Sequence, residues 1–139
     1  MRQIRWGVMG AARIAREHLA PAIHLSASGV LAAVASTDAT RAGALAAPYG
    51  ARAITGYDAL LADRQIDAVY IPLANSEHVA WSLKALAAGK HVLCEKPIAL
   101  EAAQIDTLIA ARDAAGRLCA EAFMVTHHPQ WARARCHCG

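Results

Sequence analysis

The sequence predicts an α/β fold, a doubly wound parallel sheet within a single domain, and three observations carry this prediction. Short apolar runs alternate regularly with amphipathic helical patterns along the 139 residues, as in parallel strands joined by crossover helices. The apolar runs are nearly continuous, which indicates strands that are buried on both faces. The length suits one domain with a substantial apolar core and is too short for two domains of ordinary size.

The composition narrows the functional classes. The net charge is only +3, the arginines are scattered, and a single Phe accompanies three Trp and three Tyr, which argues against nucleic-acid binding. The sequence has no signal-peptide pattern and no uninterrupted apolar stretch of membrane-spanning length, so we expect no membrane association and a cytoplasmic location. Cys94 and Cys119 lie within apolar runs, where a free thiol packs as a small hydrophobe, and no disulfide framework is indicated.

The first apolar run, residues 4–9, breaks at Gly10 and is followed by a helical pattern, which Pro21 is expected to kink or end. The apolar positions on one side of this helix are Ile14, Leu19 and Ile23. A helix that begins just beyond a strand directs several unpaired N–H groups and the positive end of its dipole at one point. An anion such as a pyrophosphate is expected to bind there.

The bend keeps only part of the glycine pattern that accompanies dinucleotide binding. In that pattern one glycine makes the turn, a second lets the phosphate approach and a third lets the helix pack on the strand. Here Gly10 is retained, and Ala12 and Ala15, the smallest substitutes, hold the other two places. Because short glycine motifs also match by chance, the bend alone fits either a nucleotide site or a plain strand-to-helix turn.

The second strand, residues 30–35, ends at a polar group that faces the place of the adenosine ribose in dinucleotide folds. Ser36 and Thr37 stand where an acidic residue is usual, and Arg41 follows one turn later, a combination that favours the 2′-phosphate of NADP. Asp38 is adjacent and offers an alternative acceptor for the ribose hydroxyls of NAD. Ser36 or Thr37 could also simply cap the helix that begins at Ala39.

The remaining elements continue the alternation. Asn75 or Ser76 is expected to cap the helix that follows the fourth strand, Gly89 to end that same helix, and Gly116 to end the next one. The predicted segments after the second helix are an edge strand at 51–54, a helix at 57–62, strands at 67–71, 91–94 and 118–123, and a helix at 101–115.

The strongest candidate for chemistry follows the fifth strand. Glu95, Lys96 and Pro97 lie at its carboxyl end, the edge at which open α/β sheets hold their ligands. A lysine there can donate a hydrogen bond to a substrate oxygen or relay a proton. The alternative is a surface salt bridge beside a turn.

Together these segments resemble the N-terminal NAD(P)-binding domain, a Rossmann fold, of the Gfo/Idh/MocA oxidoreductases. The resemblance runs from about Arg5 to Trp131, and residues 121–124 with 128–131 resemble the branch of NADP-linked xylose and trans-dihydrodiol dehydrogenases. The four segments that carry it read GVMGAARIA (7–15), DAVYIP (67–72), NSEH (75–78) and GKHVLCEKP (89–97).

The resemblance implies which residues form the site. It also implies the reaction, a hydride transfer between a nicotinamide cofactor, NADP or NAD, and a hydroxyl of a sugar, polyol or dihydrodiol. Lys96 would be the catalytic residue that hydrogen-bonds the reacting hydroxyl. The implied contacts are Gly10, Ala11, Ala12, Arg13 and Ile14 at the pyrophosphate; Ser36, Thr37 and Arg41 at the adenosine ribose; Leu73, Asn75 and His78 near the nicotinamide ribose; and Glu95 and Lys96 at the nicotinamide and substrate.

In the family a second domain completes the substrate pocket, and the pattern stops after Trp131 in this chain. We therefore interpret residues 1–125 as the NAD(P)-binding domain and 126–139 as the truncated start of a link to a C-terminal domain. Turnover by this chain alone stays open, and the uncovered face is expected to self-associate or bind a partner. The last residues offer His127, His128, Cys136, His137 and Cys138, but Cys136 and Cys138 are too close for a zinc site, so no metal is expected.

Overall fold

The computed structural model describes residues 2–137, apart from the side chains of residues 132 and 135–137, and contains a six-stranded sheet. The side chains of Cys136, His137 and Cys138, which were considered as metal ligands, lie outside the described part of the structure. The strands are β1 (Ile4–Met9), β2 (Gly29–Ser36), β3 (Arg52–Thr55), β4 (Ala68–Ile71), β5 (His91–Cys94) and β6 (Cys119–Glu121).

All neighbouring strands are parallel, and their order across the sheet is β3-β2-β1-β4-β5-β6. This order reverses direction at β1, so the crossover helices pack on both faces of the sheet. Because the strands are parallel, all their carboxyl ends meet at one edge. We call it the carboxyl edge and the opposite one the amino edge. The prediction of a single doubly wound parallel sheet is confirmed.

The helices follow the predicted alternation. Pro21 does not end the first one: a π-helical turn, Ala15–Leu19, continues directly into an α-helix. Pro21 lies directly after the π-helical turn, and such a turn is where a helix accommodates the missing N–H and the ring of a proline. The α-helices are α1 (Ala20–Leu25), α2 (Ala39–Ala46), α3 (Tyr57–Ala62), α4 (His78–Ala87), α5 (Ala102–Ala115) and α6 (Pro129–His137).

Two apolar layers hold the sheet between the helices, because consecutive strand residues point to opposite faces. Val8 and Tyr70 pack with the face that α1 and α2 cover, whereas Met9 and Ile71 pack with the face that α3 and α4 cover. These residues are at most 1% exposed. Burial of this kind stabilises a fold by about 25 cal/mol for each Å² of apolar surface removed from water. The sheet therefore forms a rigid platform for the loops at its edges.

Two cap predictions are wrong. Asp38, not Ser36 or Thr37, caps α2, because its carboxylate accepts from the amides of Thr40 and Arg41 at 2.8 and 3.2 Å. Ser36 still belongs to β2, too early to reach those amides. No side chain caps α4, because the chain enters it through a 3-10 turn, Asn75–Glu77, that has no side-chain cap either.

Within residues 2–137, one part of the sheet is not covered by a helix. Beyond α1, the face of β4, β5 and β6 carries a groove of about 250 Å³ lined by Trp6, Leu93, Leu118 and Ala120, among others. Leu118 is 72% exposed. We call this surface the open face.

The end of the described chain is helical. A 3-10 turn, Met124–His127, leads into α6, and the predicted domain boundary after residue 125 falls within this turn. Across residues 2–137, no helix combines the length and the apolar character needed to cross a lipid bilayer.

Candidate functional site

The bend after β1 has a backbone that only glycine adopts without strain. Gly10 is buried and has φ +104°, and its amide donates to the carbonyl of Ala35 at 2.7 Å, which fixes the bend against the end of β2. A Cβ at this position would lie 2.8 Å from Cδ2 of Leu73. The missing side chain thus leaves space that any other residue would fill.

The amides that follow Gly10 are open. Among residues 2–137, no acceptor is present for the amides of residues 11–15, and Arg16 is the first after the bend to find one, the carbonyl of Ala12 at 3.1 Å. These groups begin a helical segment at the carboxyl edge, where unpaired N–H groups and the helix dipole favour an anion. The bend therefore fits a diphosphate.

Two side chains of the bend, those of Arg13 and Ile14, point in different directions. Arg13 points to solvent and pairs with Glu17 at 2.8 Å, with 81% of its side chain exposed. Ile14 instead faces inward and lines a groove of about 190 Å³ together with Glu95, Lys96 and Phe123. Arg13 can thus bind a phosphate only if its ion pair with Glu17 breaks. Ile14 instead lines the groove between the bend and Lys96.

The three residues predicted to contact the adenosine ribose, at and after the end of β2, differ in their exposure and in their hydrogen-bond partners. Ser36 is only 3% exposed and its hydroxyl accepts from the amide of Asp38 at 3.1 Å. Thr37 and Arg41 are exposed, and the guanidinium of Arg41 donates to the carbonyl of Ala11 at 3.2 Å. The cation thus lies against the phosphate bend, while Ser36 supports the backbone that carries Asp38.

The loop after β4 contributes residues of different accessibility. Leu73 packs over Gly10, and Asn75 is exposed at the start of its 3-10 turn. His78 is completely buried, and its Nδ1 and Nε2 lie 2.7 Å from the carbonyl of Pro97 and 3.0 Å from that of Leu73. A neutral imidazole can donate to one of these carbonyls and an imidazolium to both. His78 therefore joins two loops, and its ring has no exposed surface.

The residues after β5 lie close to Ile14 at the same edge. Tyr70 donates to Oε1 of Glu95 at 2.6 Å, and the amide of Lys96 donates to Oε2 of the same carboxylate at 3.2 Å. Burial raises the pKa of the Tyr70 phenol far above its ordinary value, and Glu95 adds to the shift, so the phenol keeps its proton. Among residues 2–137, the ammonium of Lys96 has no hydrogen-bond or ion-pair partner. It is exposed and can meet a ligand.

The structure thus brings the bend, Arg41 and Lys96 to one edge. Sequence reasoning missed the contacts of Tyr70 and the dual role of His78, since both join residues far apart in the chain. A signal for Tyr70 exists in hindsight: it is a hydroxyl-bearing residue inside an otherwise apolar buried strand, and a buried phenol needs a partner.

Comparison with known proteins gives a consistent result. The model of the Gfo/Idh/MocA oxidoreductase family, described as an NAD-binding Rossmann fold, matches residues 4–123. An uncharacterised oxidoreductase of Rhizobium meliloti is 49% identical over 130 residues, which are 92% of this chain and 39% of that protein. A D-xylose 1-dehydrogenase (NADP(+)) of Haloferax volcanii is 42% identical over 130 residues, which are 93% of this chain and 40% of that protein.

A solved structure agrees in detail. The sugar 3-ketoreductase KijD10 of Actinomadura kijaniata, crystallised with NADP and TDP-benzene, superposes with a TM-score of 0.93 at 39% identity over 96% of this chain and 41% of that one. The chain spans about 40% of the length of the curated relatives described above. The resemblance inferred from the motifs is confirmed. This protein belongs to the Gfo/Idh/MocA oxidoreductases and corresponds to the NAD-binding Rossmann domain of that family.

Proposed function

We propose that this chain binds NADP(H), and NAD(H) more weakly, as the cofactor-binding part of an oxidoreductase that acts on a sugar, polyol or dihydrodiol. The observation that carries the proposal is the run of amides from Ala11 onward that have no acceptor in the described part of the chain, behind a glycine where a Cβ would have no room. A diphosphate supplies acceptors for these amides, and its charge suits the helix dipole. The exposed Arg41 supports the preference for a 2′-phosphate.

Each predicted contact has a definite part in this proposal. Ala11 and Ala12, with Arg13 and Ile14, bind the diphosphate through their amides, and Thr37 with Arg41 binds the adenosine ribose end. Leu73 and Asn75 border the nicotinamide ribose, whereas Ser36 and His78 act through the backbone they hold. Glu95 and Lys96 face the nicotinamide and the substrate.

Lys96 is the proposed catalytic residue. When bound, the nicotinamide supplies the hydride chemistry, and the lysine ammonium donates a hydrogen bond to the substrate oxygen that gains or loses a proton. Its open ammonium and its position beside Ile14 support this role. A water-excluding pocket is also needed for efficient transfer, and the groove around Lys96 is open on one side in this chain.

The test is a fluorescence titration of the purified chain with NADPH and with NADH, followed by absorbance at 340 nm with aldoses and polyols. We expect saturable binding of NADPH. Lys96→Ala should change the dissociation constant by less than about threefold, because an exposed lysine without a phosphate contact adds little affinity, and should remove any turnover. The matched control is Lys84→Ala, which removes an exposed lysine on α4 that is paired with Asp58. Absence of NADPH binding by the unaltered chain would refute the proposal.

The open face supports a second candidate: a dinucleotide-binding module without turnover that self-associates or docks a partner through this surface. Exposed apolar residues such as Leu118 on an uncovered sheet face are typical of an interface. Sedimentation of the unaltered chain and of Leu118→Glu distinguishes the two states, because the charge should shift a dimer to monomer. A monomer at all concentrations would contradict this candidate. The proposed location, the cytoplasm, is testable by cell fractionation.

A further inference from the structure

The loop that carries Lys96 is held from both faces of the sheet. Tyr70, whose ring packs in the layer under α1 and α2, binds Glu95 on one side of the lysine. His78, the first residue of α4 on the opposite face, contacts the carbonyl of Pro97 on the other side. Lys96 therefore lies between two residues that are each fixed by a buried side chain.

Both contacts are strong for physical reasons. Tyr70 is 1% exposed and His78 is fully buried, so water reaches these hydrogen bonds only from the side of the loop. The bond from Tyr70 ends on a carboxylate, and hydrogen bonds to charged groups are about twice as strong as neutral ones. A third contact, from the amide of Ile98 to Glu121 at 3.0 Å, lies at the surface and adds less.

The two anchors also reach the rest of the site. Nε2 of His78 contacts the carbonyl of Leu73, the residue that packs over Gly10, so one imidazole joins the loop of Lys96 to the loop above the bend. Glu95, held by Tyr70, lines the same groove as Ile14. The distance between the diphosphate cradle and the lysine is therefore set by buried side chains and not by the loop itself.

We propose that Tyr70 and His78 are positioning residues that hold the Glu95–Lys96–Pro97 segment at a fixed distance from the Gly10 bend, so that the nicotinamide end of the cofactor is immobilised. This inference rests on the proposed function, since it assigns a role within the same site. It assigns to both residues an effect through Lys96 and Glu95, without contact with the cofactor.

The first experiment measures amide hydrogen exchange in the unliganded chain, with Tyr70→Phe as the variant. The amide of Lys96 reports the position of Glu95 directly, because it donates to the same carboxylate. Loss of the phenol should free Glu95 and raise the exchange rate of this amide about tenfold, while the amide of Val92 in β5 stays unchanged. Tyr49→Phe, which removes a phenol far from the site, is the control and should leave both rates alone.

The second experiment measures the fluorescence of bound NADPH, which rises when the nicotinamide ring is immobilised, together with the affinity for 2′-phospho-ADP-ribose, which lacks that ring. Tyr70→Phe and His78→Gln should lower the fluorescence enhancement at least twofold, and Tyr70→Phe should change the affinity for 2′-phospho-ADP-ribose by less than about twofold. The thermal unfolding temperature of Tyr70→Phe controls for a general loss of stability.

Each outcome separates the two proposals. If the Lys96 amide exchanges at the same rate in Tyr70→Phe as in Tyr49→Phe, the segment is not held by Tyr70 and the inference fails. If exchange rises but the fluorescence of bound NADPH is unaltered, the contact is structural only and the positioning role is overturned. If the unaltered chain binds neither NADPH nor 2′-phospho-ADP-ribose, the proposed function fails and the positioning role with it, while the exchange rates still report whether the segment is held.

Discussion

The two edges of the sheet treat their polar groups in opposite ways. At the amino edge, Asp67 accepts three hydrogen bonds from Arg5 and one from Arg2, at 2.8 to 2.9 Å. Lys90 is 6% exposed and donates to two backbone carbonyls there. At the carboxyl edge, the five amides of residues 11–15 and the ammonium of Lys96 have no partner within the described residues. Satisfied groups stabilise the fold, whereas open ones are available to a ligand.

The pKa shifts of the charged groups at the amino edge reflect their contacts. Hydrogen bonds from Arg5 hold the pKa of Asp67 well below its usual range, and burial lowers the pKa of Lys90. The contrast teaches that the residues that bind a ligand and the charged residues that stabilise the fold lie at opposite ends of the same strands. It follows that substitutions at one edge should leave the property of the other edge unchanged.

Gly10→Val should give the largest effect, a loss of NADPH affinity of about 100-fold or more. A branched side chain at φ +104° is strained and meets Leu73 at 2.8 Å, so the bend and its open amides must shift. The measurement is the fluorescence titration, with circular dichroism to verify folding. Gly43→Ala in α2, where a Cβ meets nothing within 4 Å, is the control and should bind NADPH normally. Equal affinities for the two variants would show that the bend does not hold the diphosphate.

Arg41→Ala should weaken NADPH about tenfold and NADH by less than about twofold, because only NADPH offers the 2′-phosphate for a charge-assisted hydrogen bond. The ratio of the two dissociation constants is the quantity to measure. Arg64→Ala removes the same charge from an exposed position near the amino edge and should leave the ratio unchanged. An equal loss of affinity for NADPH and NADH would contradict a contact of Arg41 with the 2′-phosphate. It would indicate a contact with the diphosphate or a structural role.

Asp67→Asn should lower the unfolding temperature by a few degrees at neutral pH and change NADPH affinity by less than about twofold. A carboxylate whose pKa is depressed by folding stabilises the protein above its unfolded pKa of about 4, and this contribution is lost as the pH falls. The difference in unfolding temperature between the two proteins should therefore shrink below about pH 4. Asp58→Asn, which alters an exposed carboxylate that is paired with Lys84, should show a smaller difference. A constant difference from pH 7 to pH 3 would contradict the role of the charge.

The strands and helices up to β6 could be predicted from the sequence, because local periodicity specifies them and Gly, Pro or short polar runs separate them. The helix α6 was not predicted, since its segment lacks an apolar stripe. The site could be predicted only where its residues carry a local signal, such as Gly10 after a strand or Lys96 beyond another. Asp38 as the cap of α2 was missed because three neighbouring polar residues compete for that place, and backbone geometry decides among them. The contacts of Tyr70 and His78 join residues 25 and 19 positions apart, so no local pattern contains them.

The hydrogen bond from Arg41 to the carbonyl of Ala11 has a thermodynamic consequence for recognition. A free arginine on a surface samples many rotamers, and ordering it on arrival of an anion costs entropy. Here the guanidinium is already held by a neutral acceptor beside the proposed place of the 2′-phosphate. In the proposed complex Arg41 would exchange this acceptor for a stronger one, so little side-chain entropy would be lost when the phosphate binds.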